Sequence, residues 1–261
     1  MTEPGTHACC SFANSQEREA TVLAFLDEGL RRGERLAFFS RTDAPAILDG
    51  LGVNVDRLIS AGQLIVGHVE DAYLGSGRLS SAERVSEFAA LADESVALGY
   101  PALRVYADNG TVLELLDNPY TWLEYELRVA TTIPQHRLIG LCGFESQASR
   151  PLDDALLDAV HDMNLTTGSR PSEFHFRGDA DGVLRLSGEV ERLCLPDLRV
   201  LLDSVRPLLS DTELSLEELT FVDGAGASTL HDFALQEQPR VVRVSPHVTR
   251  VWDALGLQLA G

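Results

Sequence analysis

The 261-residue sequence contains no lysine, and all 21 of its basic residues are arginine. That absence removes Schiff-base chemistry and the lysine of a phosphate-binding loop. Against the arginines stand 40 acidic residues, giving a formal net charge of −19. A chain this acidic repels phosphate backbones, so nucleic acid is not an expected partner. Long apolar runs are missing too: no stretch approaches the roughly 20 residues that cross a bilayer. Met1 to Phe12 carries neither the basic region nor the apolar core of a secretion signal. The expected location is therefore cytoplasmic, with no membrane partner. Cysteine is scarce: Cys9, Cys10, Cys142 and Cys194. Without a secretory context they are expected as reduced thiols in strand-like cores, not as a disulfide framework. No Ser-His-Asp order, Gly-x-Ser-x-Gly elbow, His-Glu-x-x-His motif or paired-glycine nucleotide loop occurs. No catalytic residue is assigned, and the chain is expected not to be an enzyme.

What is present is a core-forming composition, 44% hydrophobic. In the first half, strand-like segments alternate with helical ones. His7 to Phe12 is apolar and β-compatible. Arg18 to Arg31 places Val22, Phe25, Leu26 and Leu30 at helical spacing, with Gly33 closing the helix. Further strands are expected at Arg35–Ser40, Leu64–His68, Leu103–Ala107 and Arg137–Phe144. Further helices are expected at Ala44–Leu51, Ser80–Leu98 and Pro119–Ala130. This alternation predicts an α/β fold with a mostly parallel sheet covered on both faces. Thr166 to Ser172 is small, polar and Gly/Pro-containing, which marks a linker. The pattern then restarts as a hairpin turning at Asp179–Gly182, followed by helices at Pro196–Leu209, Ala225–Leu235 and Pro246–Leu255. Strands are expected between them at Glu213–Val222 and Arg240–Ser245. Two units follow, residues 1–168 and 169–261, the second in the order β-β-α-β-α-β-α.

Three pieces of the second unit resemble the STAS domain of anti-sigma-factor antagonists. Leu186-Ser187-Gly188-Glu189-Val190 is similar to that family's second strand. Leu219 to Gly226 (LTFVDGAG) sits where the family has "LTFIDSSG". Val244 to Val251 resembles its last strand and Ser-Pro-started helix. The resemblance implies a β-sheet with helices on one side and a protein partner, an anti-sigma factor or a serine-kinase-like regulator. It also implies a docking corner at Asp223, Gly224, Ala225 and Gly226, with Ser228 and Thr229 one turn on. In the family a serine at this corner is phosphorylated, which breaks docking through added charge and bulk. Here Gly224 and Ala225 leave no hydroxyl, so the usual phosphorylation switch is not expected. Pro239 is expected to cut the following helix short.

The first unit resembles the MEDS (methanogen/methylotroph DcmR sensory) domain. The opening His7-Ala8-Cys9-Cys10-Ser11-Phe12 is similar to the family's "HxCxxY", and Phe25 to Arg35 (FLDEGLRRGER) to its "FLxxGLxxGER". Ile59 to Leu64, Tyr73-Leu74, Leu103-Arg104-Val105, Leu123 to Glu126 and Leu141-Cys142 follow in order. The resemblance implies a degenerate RecA-like core with a sensory role for a small molecule, redox state or partner. A phosphate loop would fall at Ala13–Arg18, which has neither glycine nor lysine. A nucleotide-binding RecA-like remnant with little or no ATPase activity is therefore the alternative reading. Asp108, where such a core would hold its magnesium-site aspartate, reads as a turn former.

Ligand or sensor candidates are His7, Cys9, Arg104, Glu124, Glu126 and Cys142. Arg104 with Glu124 or Glu126 also reads as a buried ion pair fixing a helix to the sheet. His7, Cys9 and Cys10 with Cys142 do not form a zinc pattern, since His7 and Cys9 share a strand face that Cys10 does not. No metal site and no cofactor is expected. A ligand pocket, if present, is expected at the carboxyl ends of the strands.

Overall fold

A computed structural model describes residues 3–41, 44–75, 77–145, 152–237 and 240–258. The first sheet is built from β1 (His7–Phe12), β2 (Arg35–Ser40), β3 (Leu64–His68), β4 (Leu103–Asp108), β5 (Leu138–Glu145) and β6 (Met163–Asn164). Their order is β3-β2-β4-β5-β1-β6, with every pairing parallel. The expected α/β sheet is therefore present. Parallel pairing needs crossovers, and the helices between the strands supply them. They are α1 (Ser15–Arg31), α2 (Ala44–Asp49), α3 (Val55–Ser60), α4 (Val69–Leu74), α5 (Ser81–Ala97), α6 (Asn109–Leu115), α7 (Tyr120–Thr132) and α8 (Asp154–Val160).

Side-chain alternation divides the sheet into two faces. Ala8, Cys10, Phe12, Leu36, Phe38, Tyr106, Ile139 and Leu141 point into one core, closed by Val22, Phe25 and Leu26 of α1 and by Ile47 and Leu48 of α2. Cys9, Ala37, Leu103, Val105, Ala107, Leu138, Cys142 and Phe144 point into the other, beneath α4, α5 and α7. The one-residue offset between Cys9 and Cys10 thus separates them by the thickness of the sheet.

The second sheet comprises β7 (Phe174–Gly178), β8 (Leu184–Val190), β9 (Leu214–Leu216), β10 (Leu219–Val222) and β11 (Val241–Val244). β7 and β8 form the expected antiparallel hairpin. Its turn is fixed by Asp179, whose carboxylate accepts from the Asp181 and Val183 N–H groups, and by Gly182 at φ +76°. β8 pairs in parallel with β9 at one end and with β10 at the other, and β9 pairs in parallel with β11. Phe174, Phe176, Leu184 and Leu186 are buried on one face. That face packs on α7 and α9 (Leu195–Val205), with α10 (Gly224–Gln236) and α11 (Pro246–Leu255) completing the layer.

α7 lies between the two sheets. It packs against α5 on one side and against β7 and α9 on another. Eight of its thirteen residues are buried, including Trp122, Tyr125, Glu126 and Ala130, leaving only a narrow stripe through Thr121, Glu124 and Arg128 toward solvent. One continuous hydrophobic core joins Trp122 and Tyr125 to Phe174, Leu198 and Trp252.

Several expectations are corrected. The strand expected at Glu213–Val222 is interrupted at Glu217–Glu218, where two adjacent carboxylates break the apolar run. The helix after the Asp223 corner runs Gly224–Gln236, one residue beyond the expected bounds at each end, with Asp223 as its N-cap; Pro239 lies outside the described residues. The Thr166–Ser172 segment has no regular structure, as expected, yet it is tethered. The Ser11 N–H donates to Thr166 Oγ1 at 2.7 Å, and the Ser172 N–H donates to Asp158 Oδ2 at 2.7 Å.

Candidate functional site

Four fully buried side chains converge beneath α7. His7 begins β1, Cys142 lies in β5, Glu126 projects from α7, and His161 follows α8. Each offers one ligand-type atom, and the four atoms lie within 4.8 Å of one another. His7 Nε2 is 3.0 Å from Glu126 Oε2 and 3.5 Å from Cys142 Sγ. His161 Nε2 is 3.5 Å from the same Glu126 oxygen. The two imidazoles approach with centroids 4.1 Å apart.

The local sequence explains the convergence. Parallel register sets His7 beside Gly140 and Cys9 beside Cys142, so His7 and Cys142 emerge on the same face one step apart. Gly140 leaves room there: a Cβ would sit 3.6 Å from the His7 ring and 3.2 Å from Ile133. The Asp162 carboxylate accepts from the His7 N–H at 2.8 Å, and the Asp162 N–H donates to the His7 carbonyl at 2.7 Å. This double tie brings the preceding His161 alongside. Glu126 lies one turn after Trp122 on the sheet-facing side of α7.

Burial dominates the electrostatics. It lowers His7 to about 4 and His161 to about 3, so both imidazoles are neutral near pH 7. It pushes the Glu126 carboxyl up to about 7, against the pull of His161, Trp122 and Cys142. It also drives the Cys142 thiol well up, with the buried Asn109 amide pulling the other way. Both Glu126 oxygens, His161 Nε2 and the Trp122 indole nitrogen lack a hydrogen bond of acceptable geometry. Beside the cluster is an apolar cavity of about 40 Å³, walled by Tyr73, Val85, Phe88, Val105, Tyr125, Val129 and Ile133 and reaching His7 and Cys142. Such a volume admits a few small molecules of water size.

Of the sequence candidates, His7, Glu126 and Cys142 are brought together. Cys9 is buried on the same face but stands outside the four-atom group. Arg104 points to the opposite face, where its guanidinium donates to Glu34 at 2.5 Å, approaches Glu28 at 3.7 Å and stacks over Phe25. It is the buried ion pair, made with Glu34 and Glu28 instead of Glu124 or Glu126. Glu124 pairs with Arg128 on its own helix. The pocket is also not at the carboxyl ends of the strands. Its polar groups lie on the sheet face, because His7 opens its strand and α7 covers it there. His161 is the residue that sequence reasoning missed.

At the corner after β1, Asn14 caps α1 through the Glu17 N–H, and the buried Arg18 turns inward. Its guanidinium donates to Asp108 Oδ2 at 2.7 Å, Ser40 Oγ at 2.8 Å and Tyr106 Oη at 3.2 Å. Asp108 is thus more than a turn former: it ends β4 in a buried ion pair with Arg18.

In the second sheet, Asp223 accepts from the Gly226 N–H at 2.7 Å and the Arg192 N–H at 2.8 Å. Gly226 is packed so closely that a Cβ would meet Val190 Cγ1 at 2.6 Å, whereas Gly224 faces open space. Gly224 and Ala225 are exposed, and the exposed Leu255 comes within 4.0 Å of where a Cβ on Gly224 would lie. Ser228 is turned back, its hydroxyl donating to the Gly224 carbonyl at 3.0 Å, and Thr229 is half-buried.

Among the described residues no helix is long and apolar enough to cross a membrane. No curated protein matches the chain. Residues 6–162, spanning both strands and both helical elements of the buried cluster, match MEDS, the methanogen/methylotroph DcmR sensory domain; the chain belongs to the MEDS family.

Proposed function

We propose that the chain is a non-enzymatic, cytoplasmic signalling protein in which residues 1–168 sense and residues 169–261 dock a regulator. The sensing element is the His7–Glu126–Cys142–His161 cluster with its apolar cavity. A small apolar ligand there would meet hydrocarbon walls, with His7 and Cys142 linking the cavity to the polar cluster behind it. The Arg18–Asp108 pair speaks against the nucleotide-binding alternative. The docking half reads as a STAS-type domain whose partner is an anti-sigma factor or serine-kinase-like regulator.

The observation that carries the docking reading is the Asp223–Gly226 corner. It is capped by Asp223, exposed, free of hydroxyls at Gly224 and Ala225, and bordered by the half-exposed side chain of Leu255. With no hydroxyl to modify at those two positions, docking is constitutive at the corner, and control comes from the sensing half through α7. The test is affinity capture with the full chain to identify an anti-sigma factor or kinase-like regulator, followed by titration against wild type and Ala225→Asp. The variant places an unpaired carboxylate in the contact and is expected to weaken binding by at least about 1 kcal/mol, roughly fivefold. Equal affinity for the two chains removes the corner as the docking site.

A further inference from the structure

We infer that His7, Glu126, Cys142 and His161 bind one divalent metal ion of the zinc class. The site deepens the sensory reading given above by naming what its polar cluster holds, and its own grounds are the four side chains alone.

The first ground is distance. Zinc bonds of about 2.0–2.3 Å arranged as a tetrahedron separate neighbouring ligand atoms by about 3.3–3.8 Å. The measured separations are 3.0, 3.5 and 3.5 Å, and all pairs of the four atoms stay within 4.8 Å. Small rotations of buried side chains bring them to a common centre. The second ground is orientation. His161 Nδ1–H donates to the Leu157 carbonyl at 2.7 Å, which leaves the Nε2 lone pair aimed into the cluster. A backbone carbonyl that accepts the other ring N–H is the usual outer partner of a metal-bound histidine. The third is that these buried atoms are poorly satisfied within the protein. Glu126 is fully buried, and neither of its oxygens receives a hydrogen bond of good geometry; His161 Nε2 makes none either and has only the Glu126 oxygen at 3.5 Å. A buried carboxylate in that state is costly unless a cation answers it.

Charge decides the class of ion. Two neutral imidazoles, one thiolate and one carboxylate together carry two negative charges. A divalent ion makes the buried site neutral, whereas a monovalent or trivalent ion leaves a net charge in an apolar core. Binding displaces the Cys142 thiol proton to solvent, because a coordinating thiol is deprotonated outright, and displaces the Glu126 proton wherever that group is protonated. Two nitrogens, one sulfur and one oxygen suit zinc and the ions that replace it, not magnesium or calcium. The set differs from the His7, Cys9, Cys10 and Cys142 grouping considered from the sequence: Glu126 and His161 take the places of Cys9 and Cys10.

The test uses the full chain, stripped with chelator and reconstituted with zinc or cobalt, then freed of excess ion by gel filtration. One equivalent of zinc per chain is expected by elemental analysis. With cobalt, a thiolate-to-metal charge-transfer band and the intense visible bands of a four-coordinate ion are expected. Cys142→Ala should abolish the charge-transfer band, while Cys9→Ala, its neighbour across the same sheet face, should retain it at full intensity. His161→Gln serves as a second ligand variant, expected to lower zinc affinity at least tenfold in a chelator competition, with folding checked by circular dichroism. Folded wild type that retains less than one tenth of an equivalent overturns the site, as does a charge-transfer band that survives Cys142→Ala. Failure here is separable from failure of the signalling reading. A metal-free chain that captures its regulator loses only the metal, and a metal-loaded chain that captures none keeps only the metal.

Discussion

Gly178 ends β7 where that strand meets α7, and adding one methyl group there is expected to destabilise the whole chain. An alanine Cβ would lie 2.1 Å from the Ala130 carbonyl oxygen, 2.5 Å from Thr131 Cα and 2.7 Å from the Ala130 carbonyl carbon, against the 3.0 Å that real Cβ atoms keep. All three are backbone atoms of a buried helix, so no rotamer change relieves the clash. The strand cannot retreat freely, since it is paired to β8 from Phe174 through Gly178. Overpacking a close-packed core costs about 1–3 kcal/mol, and backbone on both sides places Gly178→Ala at about 3 kcal/mol. For a chain of this size that lowers the Tm by roughly 6–12 °C. Gly224→Ala is the control. Its Cβ meets only Leu255 Cδ1 at 4.0 Å, and the loss of chain freedom in the unfolded state should stabilise by about 0.4–1 kcal/mol. Urea unfolding followed by far-ultraviolet circular dichroism measures both. A Gly178→Ala chain within about 0.5 kcal/mol of wild type would refute the close approach of β7 to α7.

Nucleotide should leave the protein unaffected: ATP with magnesium at millimolar concentration is expected to shift the melting temperature by less than about 1 °C, since ligands stabilise only through binding the native state. A dose-dependent rise would restore the nucleotide alternative. The cysteines should react slowly in the native chain. All four are buried, and burial raises Cys10 to about 11 and Cys142 well above the ordinary thiol range. Because both values are raised, the thiolate fraction is small at pH 7 and grows only as pH climbs toward them. A disulfide reagent at pH 7 should therefore label less than about one thiol rapidly until denaturant is added, and rapid labelling of two or more would contradict this burial.

The regular elements were legible where a period persisted. Val22, Phe25 and Leu26 announced α1, and Leu198, Leu201, Leu202 and Val205 announced α9, because each set repeats along one helical face. Strands β2, β3 and β4 were legible as short apolar runs. The short pieces were not: α3, α4, α6 and α8 have six or seven residues, too few for a period to show, and β6 has two. The site was half legible. Glu126 stands out as a charge between Trp122, Leu123, Leu127 and Ala130, on a face that should be apolar. His7 and Cys142 carried the family resemblance. His161 did not, because its role depends on the pairing of Asp162 with the His7 backbone, a contact across 155 residues that no local pattern encodes. Arg104 was read correctly as an ion pair but with the wrong acids, since strand alternation sends it to the face of Glu34 and away from α7.

The position of α7 between the two sheets also governs how the protein can be handled. A gene truncated after Ser172 would still encode all six strands of the first sheet, yet the product would expose Ala130 and Thr131, which β7 normally covers. It would also strip Asp158 of the contact it makes with His175 and Asp162 of the one it makes with Arg177. The converse fragment would present Phe174 and Phe176 bare to water. Neither piece inherits a finished surface, so expression of either half alone should yield aggregates. Proteolytic turnover, for the same reason, must begin by prising the halves apart, and a nick in the connecting segment by itself would leave a two-piece molecule still folded.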